Sequence, residues 1–227
     1  MAERTLFTSE SVSMGHPDKL ADQVSDAVLD AMLAQDRKSR VACETLVTTN
    51  LAVVAGEVTT DAKVDLLQLV RDTILDVGYD SNEVGIDGAL CHVHIALGKQ
   101  SADISQGVTP TADKDQGAGD QGIMFGYACT ETPELMPMPI MLSHRLINTL
   151  TEDRRQKRVG WLRPDAKSQV TIEYEGDRPA RIHTVLVSTQ HAPNVDNATI
   201  RDYVQHDLAK RALPVELLDG KTIFHVN

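Results

Sequence analysis

Apolar positions along the chain alternate between two periods, one near 3.6 and one near 2. From Pro17 to Leu33 the residues Leu20, Val24, Ala27, Val28 and Ala31 recur at helical spacing, and Pro17 suits a first helical turn. Val41–Asn50 and Leu51–Val58 are rich in Val, Thr and Leu and predict two strands. The polar run Thr59-Thr60-Asp61 is expected to cap a second helix, on which Val64, Leu67, Val70, Ile74 and Val77 share a face until Gly78 ends it. Ala89–Leu97 reads as a third strand. The same order then returns. Pro139 opens an amphipathic helix through Leu142, Leu146 and Leu150, and Gln169–Tyr174 and Ala180–Ser188 flank a Glu-Gly-Asp-Arg hairpin signal. Asp196-Asn197 caps a helix through Ile200, Val204 and Leu208, Pro214 follows its end, and Thr222–Val226 is a last strand. Both halves read α-β-β-α-β, so the expected fold is α+β, two similar subdomains that each back a small sheet with helices.

The expected subdomains are residues 1–122 and 123–227. The first ends in Gly98–Gly122, a polar stretch rich in Gly, Gln, Asp and Ser without apolar periodicity. A loop this long inside a compact domain suits an active-site lid or a plain connector. Within it, Gly117–Gly122 (GAGDQG) formally matches G-x-G-x-x-G, but a polar loop precedes it and Ile123–Cys129 reads as a strand, so a Rossmann site is excluded.

Composition narrows the function. The 227 residues carry a net charge of −11 and only 4% aromatics, which argues against nucleic-acid platforms and anionic membranes as partners. Hydrophobic content of 41% with 24% charged is ordinary for a globular chain. No signal-peptide core or membrane-length apolar run is present. Cys43, Cys91 and Cys129 match no zinc spacing and read as reduced packing thiols, which points to the cytoplasm.

Several clusters could carry chemistry. Gly15–Lys19 (GHPDK) stands at a helix start, where His16, Asp18 and first-turn amides could hold a metal-chelated phosphate. Asp18, Asp22, Asp26 and Asp30 fall at four-residue intervals along one face, and for the last three a solvated face is the better reading. Trp161–Val170 (WLRPDAKSQV) sets Arg163, Asp165 and Lys167 beside the only Trp, an arrangement suited to phosphate contact or to an exposed loop. His92 and His94 share a strand face without an evident third metal ligand.

Taken together, FTSESV at 7–12, GHPDK at 15–19, ACET at 42–45, GKQS at 98–101 with QGV at 106–108, GAGDQG at 117–122, MFGYA at 124–128 and WLRPDAKSQV at 161–170 resemble S-adenosylmethionine synthetase. The motifs occur in that family's order throughout the chain. The resemblance covers the first two of the family's three related α+β subdomains and implies synthesis of S-adenosylmethionine from ATP and L-methionine, with the released triphosphate then hydrolysed. It implies Mg²⁺ and K⁺ as cofactors, and an oligomer whose sites lie between subunits packed sheet against sheet. By motif match, His16 would contact ATP near the breaking C5′–O bond, and Asp165 and Lys167 would bind ATP, with His16 and Lys167 catalytic. Asp18 would bind magnesium, with Glu10 as a second magnesium candidate, and Glu44 would hold potassium. Glu57, Gln100 and Asp120 would contact methionine, and residues from about Gln100 to Thr109 would form a mobile gate.

Two departures qualify the resemblance. Met14 stands where the family has Glu before GHPDK, and the sequence reaches Asn227 where the family continues into further ATP contacts, phosphate-binding lysines and its third subdomain. The expectation is therefore a homo- or hetero-oligomer in which a second polypeptide completes the active site. A non-catalytic regulatory subunit of a full-length synthetase is the alternative.

Overall fold

The computed structural model describes residues 4–99, 101, 108, 112–113, 115, 117–118 and 121–227. The chain divides into two compact units, one formed by Leu20–Gly126 and the other by Met1–Lys19 together with Tyr127–Asn227.

The Leu20–Gly126 unit is built on a three-stranded sheet. β2 (Arg40–Thr48) and β3 (Leu51–Thr59) form an antiparallel hairpin, and β6 (His92–Lys99) runs parallel to β3. Between β3 and β6 come α2 (Leu66–Val77) and a short antiparallel pair, β4 (Asp80–Ser81) and β5 (Ile86–Asp87). Helix α1 begins at Pro17 and runs to Gln35, buries Leu20, Val24, Val28 and Met32, and keeps Asp18, Asp22, Asp26 and Asp30 exposed. With Ala52 and Val54 of β3 and Val70, Ile74 and Val77 of α2, that stripe forms the unit's core. The opposite sheet face stays open, with Leu46 58% exposed. Gly56 of β3 sits at φ 139°, and a Cβ there would overlap the Ala42 carbonyl oxygen, so only glycine closes this hairpin against β2.

Helix α2 starts later than its sequence pattern suggests. Asp65 is its N-cap, accepting at 3.0 Å from the Gln68 N–H, so Val64 precedes the helix and Leu67 is exposed. The backbone N–H of Asp61 instead donates to the Asp36 carboxylate, and β6 begins only at His92.

The second unit holds a four-stranded sheet in the order β1-β7-β8-β9. β7 (Leu162–Glu175) and β8 (Arg178–His191) form a long antiparallel hairpin, and β9 (Ile223–Val226) lies parallel to β8. The two halves thus repeat one topology, an antiparallel hairpin followed by a helical crossover to a parallel third strand. The second sheet gains an extra strand that the sequence pattern does not show. β1 (Arg4–Val12) pairs antiparallel with β7, from Arg4 opposite Glu175 to Val12 opposite Lys167.

Helix α3 (Met138–Arg155) packs on one sheet face through Leu142, Leu146, Ile147 and Leu150, against Val170, Ile172, Ile182, Val185 and Val187. A second helical stretch covers the same face. It begins as α4 (Asn197–Asp202), capped by Asp196, widens into a π-helical turn over Tyr203–Leu208, and ends as α5 (Ala209–Ala212). Where these helices meet, Asp153 has no exposed side-chain surface. Its carboxylate accepts from Tyr203 Oη at 2.6 Å, Arg158 Nη1 at 3.1 Å and both terminal nitrogens of Arg211. Burial pushes this carboxyl up, but the hydrogen bonds from Arg211, Tyr203 and Arg158 outweigh it and hold the group below the usual carboxylate range.

Residues Ile123–Tyr127 correct an expectation. They form no strand, and Ile123, Met124, Phe125 and Tyr127 are all largely exposed. Cys129 likewise lies outside any strand. All three cysteines are free, and burial pushes the Cys43 and Cys91 thiols up, away from the reactive thiolate.

Candidate active site

Where β1 turns into α1, the backbone is locked onto the start of β7. Ser13 donates its N–H to the Ala166 carbonyl and its hydroxyl to the Pro164 carbonyl, and it accepts from the Ala166 N–H, each at 2.8 Å. Gly15 follows, packed so closely on Pro164 that a Cβ would overlap its carbonyl carbon and oxygen. This knot delivers His16 and Asp18 to the same place as Asp165 and Lys167. Gly15→Ala is expected to cost about 1–3 kcal/mol through overpacking against Pro164, read as a lowered thermal midpoint.

The side chains His16, Asp165, Lys167, Ser188, Gln190 and Asn227 line an open cleft of 540 Å³ on the uncovered face of the four-stranded sheet. The β7–β8 register shifts between Leu162 and Ala166, so β7 bulges at the residues that bring Asp165 to the cleft. Asp165 accounts for much of the local electrostatics. Burial pushes its carboxyl up, while the nearby His16 and Lys167 partly offset that rise. The backbone N–H of Asp18 donates to His16 Nδ1 at 3.3 Å, so a neutral His16 ring carries its proton on Nε2. Asp18 lies 3.8 Å from the same ring nitrogen, with its carboxylate 92% exposed. Lys167 Nζ stands 3.8 Å from Glu10 Oε1, a loose pair of half-exposed groups.

Five predicted site residues therefore gather in one unit: Glu10, His16, Asp18, Asp165 and Lys167. Glu44 and Glu57 belong to the other unit, where both are exposed on one face of β2-β3, with Ala42 opposite Glu57 and Glu44 opposite Ala55. The backbone N–H of Ser101 reaches Glu57 Oε2 at 3.4 Å. Gln100 and Asp120 lie outside the described residues, as does most of the expected gate. Ser188, Gln190 and Asn227 were not singled out from sequence. Their signal is the alternation of β8, where Val185, Val187 and Thr189 are buried and the residues between them face outward.

Among the described residues no group of three or more metal-ligating side chains converges, and His92 and His94 are exposed without a third ligand. A preformed protein cage for a cation does not fit. A magnesium ion that keeps several waters and takes one or two carboxylates plus phosphate oxygens does fit an exposed carboxylate such as Asp18 beside His16 and Lys167. Position 14 is turned to other use, since Arg155 Nη1 donates to Met14 Sδ at 3.3 Å. A larger cavity of 610 Å³, lined by Phe7, Tyr127, Glu131 and Tyr174 among others, contains none of the predicted site residues. Of the two carboxylates that line it, Glu131 is engaged, accepting from Tyr174 Oη and the Met138 N–H, each at 2.8 Å.

Fold and cleft together define a protein of two repeated α+β units that sets a lysine, a histidine and carboxylates around one open polar site. Residues 4–102 match the N-terminal domain of S-adenosylmethionine synthetase, and residues 115–227 match its central domain. The chain belongs to the S-adenosylmethionine synthetase family.

Proposed function

We propose that this chain contributes to the transfer of the adenosyl group of ATP to L-methionine, the thioether sulfur attacking C5′ as the C5′–O bond breaks. A sulfonium forms and the triphosphate departs with the bonding electrons, to be hydrolysed afterwards. The observation that carries the reading is the convergence of His16, Asp165 and Lys167 on one cleft, with Asp18 3.8 Å from the His16 ring, in a chain matching two synthetase domains. A neutral thioether needs no general base, so the work of the site is alignment and stabilisation of charge on the leaving chain. Lys167 meets that charge directly. His16 donates from Nε2 toward the breaking bond, and Asp165 orients the nucleotide.

Asp18 would hold Mg²⁺, with Glu10 as a second candidate, and Glu44 would hold K⁺; the metals supply positive charge to the phosphates. Glu57, with Gln100 and Asp120, would bind methionine. The open face of β2-β3-β6, with Leu46 exposed between Glu44 and Thr48, suits packing sheet against sheet in an oligomer. In this reading residues 1–122 and 123–227 are the functional subdomains, with the gate at about 100–109. Three cysteines without a disulfide partner support the cytoplasm as the place of this work. Among the described residues no helix is long and apolar enough to cross a membrane.

A triphosphate carries roughly four negative charges, and unpaired charge in a water-poor site is costly. Lys167 and His16 alone leave most of it unmet. In this reading most of the further positive charge comes from polypeptide outside these residues, in the simplest arrangement a second chain. Purified protein with ATP, methionine, Mg²⁺ and K⁺, followed by chromatography and mass, is expected to form S-adenosylmethionine only when that polypeptide is added. Product from these residues alone would remove the need for it. Met14, engaged by Arg155 where the family pattern has a carboxylate, favours a second reading as a non-catalytic subunit. Product formation by a complex that does not change when this chain's cleft is mutated would establish that alternative.

A further inference from the structure

The open face of the four-stranded sheet carries a second, smaller cavity of 170 Å³, lined by Leu186, Ser188, Arg201, His225, Val226 and Asn227. It shares a wall with the Lys167 cleft, since Ser188 and Asn227 line both and their side chains hydrogen-bond to each other. Strand register sets this arrangement. Lys167 lies opposite Ser188 on the β7–β8 ladder, and Leu186 lies opposite His225 on the β8–β9 ladder. Residues two apart on a strand share a face, so Lys167, Ser188, Leu186 and His225 all look outward from the same side. Arg201 reaches the cavity from α4, which packs beside β9.

Arg4, Arg145, Arg158, Arg181 and Arg211 each face a carboxylate. Among the described residues, Arg201 and His225 make no ion pair and no side-chain hydrogen bond. A guanidinium, an imidazole and the amide N–H groups of Asn227 around one small cavity present donors suited to the oxygens of an anion, the Ser188 hydroxyl being donated to Asn227 Oδ1. In a chain of net charge −11, an anion is held only where local positive charge such as that of Arg201 stands.

We infer that Arg201 and His225 form a second anion subsite, continuous with the Lys167 cleft, that takes a phosphate-class anion. Phosphate as the anion rests on the proposed reading of the neighbouring cleft as a triphosphate site; the cavity and its guanidinium do not. Two sources share this chemistry, the far end of a nucleotide's phosphate chain and free inorganic pyrophosphate.

Titration calorimetry on the full chain, with pyrophosphate and with Mg·ATP as separate probes, tests the subsite. Arg201→Ala and His225→Gln are each expected to weaken pyrophosphate binding by about tenfold or more, the scale of a lost charge-assisted hydrogen bond. An equal loss for Mg·ATP in these variants assigns the subsite to the nucleotide's own chain, and unchanged Mg·ATP binding assigns it to the free anion. Unchanged pyrophosphate affinity in both variants overturns the proposal. So does pyrophosphate binding that disappears in Lys167→Ala yet survives both substitutions. Arg201-dependent pyrophosphate binding in a protein that binds no Mg·ATP would sink the nucleotide reading of the cleft and leave the subsite standing.

Discussion

If the chain works as proposed, Lys167→Ala is expected to lower S-adenosylmethionine formation by about 10²–10³-fold, the scale seen when one preorganised donor to a developing anion is removed. The loss is expected mainly in kcat, because the charge assigned to Lys167 would grow as the triphosphate leaves. The fold is spared. Lys167 is 40% exposed and only 3.8 Å from Glu10, an ion pair worth roughly 0–1 kcal/mol. The thermal midpoint of the variant should therefore match that of the parent, which separates a chemical loss from an unfolded protein. Lys167→Arg restores only part of the rate, because a planar fork does not replace a compact ammonium at the same point. Turnover unchanged in Lys167→Ala would remove the residue from the reaction.

Asp153→Ala destabilises its unit by about 3–5 kcal/mol, the cost of removing one partner from a buried ion pair. Against a total of about 5–15 kcal/mol, that brings the fold close to its limit. The substitution takes the common acceptor from Arg211, Arg158 and Tyr203 Oη, and Tyr203 and Arg211 lie in the helical stretch covering the sheet. Asp153→Asn should lose less, since the amide oxygen can still accept from Tyr203. Denaturant titration of the full chain reads both. The pH dependence has a definite sign. The folded carboxyl is held below its unfolded value of about 3.9, so its stabilisation is complete above that value and lost as pH falls through the folded one. The gap between parent and Asp153→Asn is constant at neutral pH and narrows only in acid.

Helical periodicity was the most legible part of the chain. Leu20, Val24 and Val28, and Leu142, Leu146 and Leu150, are buried where their spacing puts them. Asp153 lies on the continuation of that second stripe, and a charged residue on an apolar face was the available sign of the buried network. β1 was not legible, because its residues are nearly all exposed and show no alternation. Its strand character comes from β7, far away in sequence. Ile123–Tyr127 shows the converse. Apolar and aromatic residues there suggest a strand, but propensity makes none without a neighbouring ladder. The cleft was legible in His16, Asp165 and Lys167, with Asp18 beside the His16 ring. Its neutral walls, Ser188 and Gln190, came only from the facing of β8.

The pairing of β1 with β7 also sets a timetable for the nascent chain. Leu20–Gly126 contains the partners of its own three-stranded sheet, so that unit can close as soon as it leaves the ribosome. Arg4–Val12 is synthesised first yet finds its partner only when Lys167–Glu175 has emerged, the slow kind of long-range closure. Until then Leu6 and Phe7 sit on an unpaired strand, and the turn bearing His16 has nothing to lock against. The candidate cleft therefore forms only after β7 has emerged, well after the three-stranded unit can close.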